Sequence, residues 1–116
     1  MTNIIIWHNP RCSKSRQALA LLEQEGVEPV VVKYLESPPT VEELQATLSK
    51  LQMSAPQLVR RGEAIFKSLG LSEDTPTEVW LAAMVEHPIL IERPIIICDT
   101  QAVVGRPPEN VLTLLK

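Results

Sequence analysis

Apolar residues open the chain as a short unbroken run, Asn3 to Trp7 (NIIIW), whose β-branched side chains suit a buried strand. Asn9-Pro10 ends that run. From Ser13 the period changes. Ala18, Leu19, Leu21 and Leu22 fall on one face, with Lys14, Arg16, Gln17, Glu23 and Gln24 outside it, which predicts an amphipathic helix closed by Gly26. Pro29 to Tyr34 (PVVVKY) predicts a second strand. Strand, helix and strand in that order make a βαβ unit, with parallel strands and a right-handed crossover.

The pattern then turns helical. Thr40 and Glu43 have the spacing of a capping box, and the helix they open runs to about Met53. Ser54-Ala55-Pro56 starts a further stretch, with Leu58, Val59, Ile65, Phe66 and Leu69 on its buried side and Gly70 at its end. Thr77, Trp80, Leu81, Met84 and Val85 mark another helix, stopped before Pro88, and no strand is expected in this block. Ile95 to Cys98 predicts a third strand, and Ala102 to Val104, after the turn Asp99-Thr100-Gln101, its hairpin partner. Pro108 opens a last helix, Glu109 to Leu115, at a position where a missing N–H costs nothing. The order βαβ, helices, ββα predicts an α/β fold in one domain over residues 1–116. It carries a mixed four-stranded sheet and a helical insertion at about residues 40–87.

Composition narrows the class. A length of 116 residues fits one domain, and 45% hydrophobic with 22% charged residues is ordinary for a soluble protein. With 3% aromatic residues, aliphatic side chains must do most of the packing. A net charge of -3 argues against nucleic acid as a partner, although it leaves room for a local basic pocket. No apolar run approaches the ~20 residues that span a bilayer, and the first residues lack the pattern of a signal peptide, so a cytoplasmic protein without membrane association is expected. In that compartment Cys12 and Cys98 are thiols at rest. They are too few, with His8 and His87 too scattered, for a zinc site, and no bound cofactor is expected.

The segment His8-Asn9-Pro10-Arg11-Cys12-Ser13-Lys14-Ser15-Arg16 carries the chemistry. It places Cys12 between the first strand and the N-terminus of the first helix, where ligands bind in open α/β sheets. The helix N–H groups and dipole favour a thiolate, Arg11, Lys14 and Arg16 add positive charge, and the Ser13, Ser15 and Asn9 side chains can donate to sulfur. A free cysteine titrates near ~8.5, and such settings bring it to about 3.5–7.5. The same amides can cradle an oxyanion. His8 is either a proton holder beside the thiol or an exposed loop residue, and His87 suits a cation at a helix C-terminus. Cys98, in an apolar strand, reads as a packed thiol or else as a distant resolving one. Ser15 occupies the place of the second cysteine of a C-x-x-C motif, so an external thiol or Cys98 must resolve any intermediate on Cys12.

His8-Asn9-Pro10-x-Cys12-x-x-Ser15-Arg16 resembles the active-site motif of the glutaredoxin-dependent arsenate reductases. The resemblance continues at Tyr34-Leu35-Glu36-x-Pro38-Pro39, Leu58-Val59-Arg60-Arg61, Glu86 to Ile95 and Gly105-Arg106-Pro107-Pro108-Glu109, and so covers essentially the whole chain. It implies a thioredoxin-like fold with a helical insertion. It also implies that Cys12 attacks arsenate, that His8 and Ser15 help keep the sulfur ionised, and that Arg60, Arg93 and Arg106 hold the oxyanion. Arginine suits that role through its planar fork of donors and permanent charge. Only the resemblance favours Arg60 over Arg61. Glutathione as co-substrate and glutaredoxin as partner would complete reduction to arsenite, and Pro94 would be the cis proline facing the cysteine. Two other readings share these residues. One is a glutathione-dependent reductase of another substrate or small oxyanion. The other is an Spx-like regulator that docks on RNA polymerase, against which Ser15 and the three arginines argue.

Overall fold

In the computed structural model, which describes residues 4–115, the apolar opening run becomes strand β1 (Ile4–Trp7). Asn3, the first residue of the expected strand, lies outside the described residues. Helix α1 (Ser13–Gln24) follows and buries Ser15, Ala18 and Leu22. It ends as Gly26 takes a left-handed φ of 79°, its N–H donating to the Glu23 carbonyl at 3.0 Å. Strand β2 (Val30–Val32) is shorter than the expected Pro29–Tyr34. Proline has no N–H for the ladder, and past Val32 the chain curls, the N–H groups of Glu36 and Ser37 both donating to the Lys33 carbonyl at 2.9 Å.

Strand β3 (Ile95–Cys98) is buried throughout and turns at Asp99, whose φ is 48°, into β4 (Gln101–Val104). Asp is one of the few side chains that tolerates this left-handed conformation. The sheet order is β2-β1-β3-β4. Strand β1 runs parallel to β2 and antiparallel to β3, and β4 is antiparallel to β3. This is the mixed four-stranded sheet of the expected α/β, thioredoxin-like class. Ile4 pairs with Cys98 and Ile6 with Ile96, and these side chains join Ala18, Leu22 and Val111 in one buried cluster.

The last segment, Pro108–Leu115, is a 3-10 helix rather than the expected α-helix. The Thr113 hydroxyl closes one of its turns on the Asn110 carbonyl at 2.8 Å. Asn110 Nδ2 ties its start back to the Val104 carbonyl at 3.2 Å. Pro94 is cis, as the resemblance implies, and so is Pro107. Between β4 and this helix, Gly105 donates its N–H to the Pro94 carbonyl at 2.8 Å. A Cβ there would lie 2.8 Å from Pro94 Cγ and 3.1 Å from Ile96 Cδ1.

By its internal packing the chain divides into two compact units. One holds the described residues up to Ser37 together with those from Arg93 onward, and the other is Pro38–Glu92. The second unit contains α2 (Val41–Leu51), α3 (Ala55–Leu58), α4 (Ala64–Leu69) and α5 (Thr77–Glu86). The capping box forms: Glu43 N–H donates to Thr40 Oγ1 at 3.1 Å, and Thr40 N–H to Glu43 Oε1 at 3.0 Å. Helix α5 packs on α2 and α3, burying Trp80, Leu81, Ala83 and Met84. One expectation needs correction. Ile65, Phe66 and Leu69 are only partly buried, because α4 has no fully buried face. Among the described residues the block holds no strand, as expected; Val59 and Ile91 form one isolated antiparallel bridge. That bridge is carried by Arg60 N–H on the Leu90 carbonyl at 2.6 Å and Glu92 N–H on the Leu58 carbonyl at 2.8 Å.

Gly105→Ala should destabilise the protein by about 1–3 kcal/mol through overpacking against a proline ring that cannot swing away, and Thr40→Ala by about 1 kcal/mol through loss of the cap. Urea denaturation of the variants measures both, and an unshifted midpoint for Gly105→Ala would contradict the close packing.

Candidate functional site

Cys12 is the residue that caps α1, with extended backbone at φ -95° and ψ 123°. Its N–H donates to the Asn9 carbonyl at 3.0 Å, so Asn9 to Cys12 form a tight turn, and its own carbonyl accepts the first helical bond from Arg16 N–H at 3.0 Å. The thiol is buried. Burial alone pushes its pKa up. The influence of the Ser15 N–H, the Arg93 guanidinium and the Lys14 N–H, with the charge of Arg93, outweighs that and brings it from 9.0 down to about 7. At neutral pH a large fraction of Cys12 is therefore thiolate.

The residues expected to assist sit differently from the simplest picture. Ser15 is fully buried, but its hydroxyl bonds to His8 Nδ1 at 2.6 Å and accepts the Asn9 N–H at 3.0 Å. It acts on sulfur through its peptide N–H, not its hydroxyl. The Asn9 side chain is also turned elsewhere, its Oδ1 accepting the Arg11 N–H at 3.0 Å. Arg16 donates from Nη1 to the Pro10 carbonyl at 2.8 Å, fastening the loop. His8 is not an exposed loop residue, being 6% exposed. Burial first, then the charges of Lys33 and Arg16, lower its pKa, so it stands neutral near pH 7 and supplies no charge to the thiolate.

Arg93 precedes cis Pro94. Its guanidinium reaches both the Cys12 sulfur and the Tyr34 hydroxyl. Although burial opposes its charge, these partners raise its pKa overall. Its Nε and Nη1 are buried without a hydrogen-bond partner among the described residues, so the group has further donors to offer. Tyr34 is a site residue that pattern reasoning passed over, although it is the sole tyrosine of the chain and is 1% exposed. Arg106 lies exposed in the loop after β4.

Arg60 belongs to the other unit. Its Nη1 is buried without a hydrogen-bond partner among the described residues. Arg61 is engaged instead, its guanidinium carbon lying 5.6 Å from the ring centres of Phe66 and Trp80. His87 caps α5, its N–H donating to the Ala83 carbonyl at 2.8 Å, and its Nε2 lies 4.0 Å from Glu86 Oε1. Cys98 faces the buried cluster beneath α1, and burial, then Asp99, raises its pKa. In the β1–β3 register Cys98 is level with Ile4, whereas Trp7, from which the loop to Cys12 departs, is level with Ile95. Those three steps along the strand are roughly 10 Å.

The fold and this site define a thioredoxin-like protein with one activated thiol at a helix N-terminus. The ArsC family model matches residues 7–114, and the chain belongs to the ArsC family. It is 45% identical over 117 residues to an arsenate reductase of Neisseria meningitidis, covering 99% of this chain and 100% of that protein. It is 47% identical to YfgD of Escherichia coli (strain K12), described as uncharacterized, over 95% of this chain and 94% of that one. Among solved structures, an arsenate reductase from Vibrio cholerae superposes with a TM-score of 0.95 at 47% identity, covering 97% of this chain and 98% of that one.

Alkylation of Cys12 by iodoacetamide should show a midpoint near the about-7 value. Arg93→Gln should move the midpoint upward, and Ser15→Ala, which keeps the peptide N–H, should move it much less. The depressed value also sets a sign for stability. Below pH 7 the thiol is protonated folded and unfolded alike and contributes nothing. Between about 7 and the unfolded value near 9.0 only the native state ionises, so stability rises with pH across that window and is lost as pH falls through 7. Cys12→Ser should remove that rise, as denaturation at several pH values would show.

Proposed function

We propose that this chain reduces arsenate to arsenite in the reducing cytosol, with the Cys12 thiolate as nucleophile, glutathione as co-substrate and glutaredoxin as the partner that completes the cycle. The carrying observation is that Cys12, at the N-terminus of α1, faces Arg93, whose Nε and Nη1 are buried without a hydrogen-bond partner among the described residues. Sulfur attacks arsenic and an oxygen leaves as water or hydroxide. The two electrons that turn As(V) into As(III) come from two thiols, which depart joined as a disulfide. Cys98 is poorly placed to be one of them; Cys12 stays bonded to arsenic while two external thiols supply the electrons, and water then displaces the Cys12 thiolate from As(III), releasing arsenite.

Arg93 holds the oxyanion beside the sulfur and stabilises charge during attack. Arg106, from the loop after β4, serves the same anion. Of the adjacent pair in the other unit, Arg60 takes the role the resemblance implies, because Arg61 is already stacked on Phe66 and Trp80. Two free cysteines suit a reducing compartment.

The test is arsenate-dependent NADPH oxidation with glutathione, glutaredoxin and glutathione reductase. Cys12→Ser should abolish turnover and Cys98→Ser should leave most of it. Arg60→Ala should raise the arsenate KM about tenfold or more, on the scale of losing a charge-assisted bond, while Arg61→Ala should act on thermal stability instead. Absence of wild-type turnover, with Cys12 still titrating near its low value, would move the substrate to another small oxyanion or disulfide. Equal loss in both cysteine variants would make Cys98 a resolving thiol.

A further inference from the structure

A cleft of about 240 Å³ opens beside the nucleophile loop, lined by His8, Asn9, Pro10, Arg11, Lys33, Leu35 and Glu36. The catalytic reading gives it no task. Its charged rim consists of two cations, Arg11 and Lys33, and one carboxylate, Glu36, all on exposed residues. Both of its walls are continuous in sequence with residues of the Cys12 site. Asn9, Pro10 and Arg11 belong to the turn that Cys12 closes with its N–H on the Asn9 carbonyl at 3.0 Å. Lys33, Leu35 and Glu36 flank Tyr34, whose hydroxyl meets the Arg93 guanidinium that contacts the sulfur. The Lys33 carbonyl, accepting N–H groups from both Glu36 and Ser37 at 2.9 Å, folds that wall into a turn.

An adduct on Cys12 needs a second thiol that this chain does not supply. Ser15 stands where a local resolving cysteine would be, and Cys98 is buried at the far end of β3. We infer that the cleft lined by Arg11, Lys33 and Glu36 is the docking site of that incoming thiol, and that it selects a small peptide thiol carrying two carboxylates and one ammonium. Glutathione has that charge pattern, and the rim is its complement: cations for the carboxylates and Glu36 for the ammonium. The inference rests on the external-thiol part of the proposed function and not on arsenate as the substrate. In the step it serves, the thiolate of the docked peptide attacks the atom joined to the Cys12 sulfur. On a disulfide adduct that atom is the outer sulfur: a new S–S bond forms, the bond to Cys12 breaks, and Cys12 leaves as thiolate. On an arsenate adduct it is arsenic: an As–S bond forms, an As–O bond breaks, and the oxygen leaves as hydroxide or water.

The experiment isolates that step. Full-length Cys98→Ser protein is converted at Cys12 to its uncharged S-methylthio disulfide with methyl methanethiosulfonate, and loss of the adduct is followed by intact mass. Glutathione and neutral 2-mercaptoethanol are compared at equal thiolate concentration. Glutathione should react about tenfold faster, the size expected of two or three exposed charge contacts. Lys33→Glu should reduce that preference, taken as the ratio of the two rates within one protein, to about twofold or less on the same scale. Lys67→Glu, the same change in net charge outside the cleft, should keep the preference. No preference in the parent protein, an undiminished preference in Lys33→Glu, or an equal fall in Lys67→Glu would each overturn the inference. Arsenate takes no part in this measurement. A protein that fails to reduce arsenate yet loses its preference in Lys33→Glu would refute the proposed substrate and leave the docking site standing.

Discussion

The contact on which this site depends is between the Cys12 sulfur and the N–H groups of Ser15 and Lys14 in the first turn of α1. Every helix begins with N–H groups that have no partner within the helix. Here two of them point at a buried sulfur whose burial, taken alone, would keep it neutral. Their partial positive charge gives the sulfur a reason to ionise. Arg93 supplies the remaining push from a segment far away in sequence, just before β3. Ionisation of one atom is therefore tied to the meeting of the start of α1 with the approach to β3, and a chain in which that meeting fails carries an ordinary thiol.

A sulfur held this way needs a loop that does not move, and the polar residues around it build one. His8 extends the β1–β2 pairing by one bond, its N–H donating to the Val32 carbonyl at 2.8 Å. Its imidazole then bonds Ser15, on the buried side of α1, and Ser15 holds the Asn9 backbone. The loop is fastened to a strand at one end and a helix at the other through a hydroxyl that is wholly out of solvent. A buried hydroxyl without partners would be costly, and Ser15 has two, His8 Nδ1 and the Asn9 N–H. The neutrality of His8 fits this: an imidazolium next to Lys33 and Arg16 would add repulsion where the loop needs a fixed bond. The resemblance assigns His8 and Ser15 to keeping the sulfur ionised; in the structure their side chains bond each other and the Asn9 backbone, and it is the Ser15 N–H, not its hydroxyl, that lowers the Cys12 pKa.

The parts of the fold legible in the sequence are those written in local pattern. The NIIIW run, the apolar face around Ala18 and Leu22, the Thr40–Glu43 spacing and the IIIC run each specify an element by short-range rules, and each appears where the pattern puts it. What local pattern could not show depends on partners distant in sequence. Strand β2 is cut short by a turn on the Lys33 carbonyl. Residues Pro108–Leu115 have helical hydrophobicity, yet side chains of Asn110 and Thr113 bond the backbone and accompany a tighter coil. At the site, the position of Cys12 between strand and helix was readable, and so was the reason for a low pKa. Which donors reach the sulfur was not, because hydroxyls and amides of the same residue compete, and composition does not say which wins. Tyr34 stands in a segment that carries the resemblance, but a tyrosine at a strand end has no assignable role until its hydroxyl is seen beside Arg93.

The asymmetry between the two cysteines supports the proposal that Cys12 is resolved by other thiols. Cys12 has acquired donors from α1 and from Arg93, whereas Cys98 has acquired only hydrocarbon and the nearby Asp99, and both raise its pKa. The antiparallel register separates them further: a residue level with Ile4 cannot approach a loop that leaves from the level of Ile95 without unpairing β1 from β3, the central pair of the sheet. Bringing Cys98 to Cys12 would therefore cost ladder bonds and core contacts together. A diffusing thiol costs neither, and it need only find its way to the loop from solvent. That is the physical case for a nucleophile built to be resolved from outside, and for reading the charged cleft next to it as part of the same chemistry.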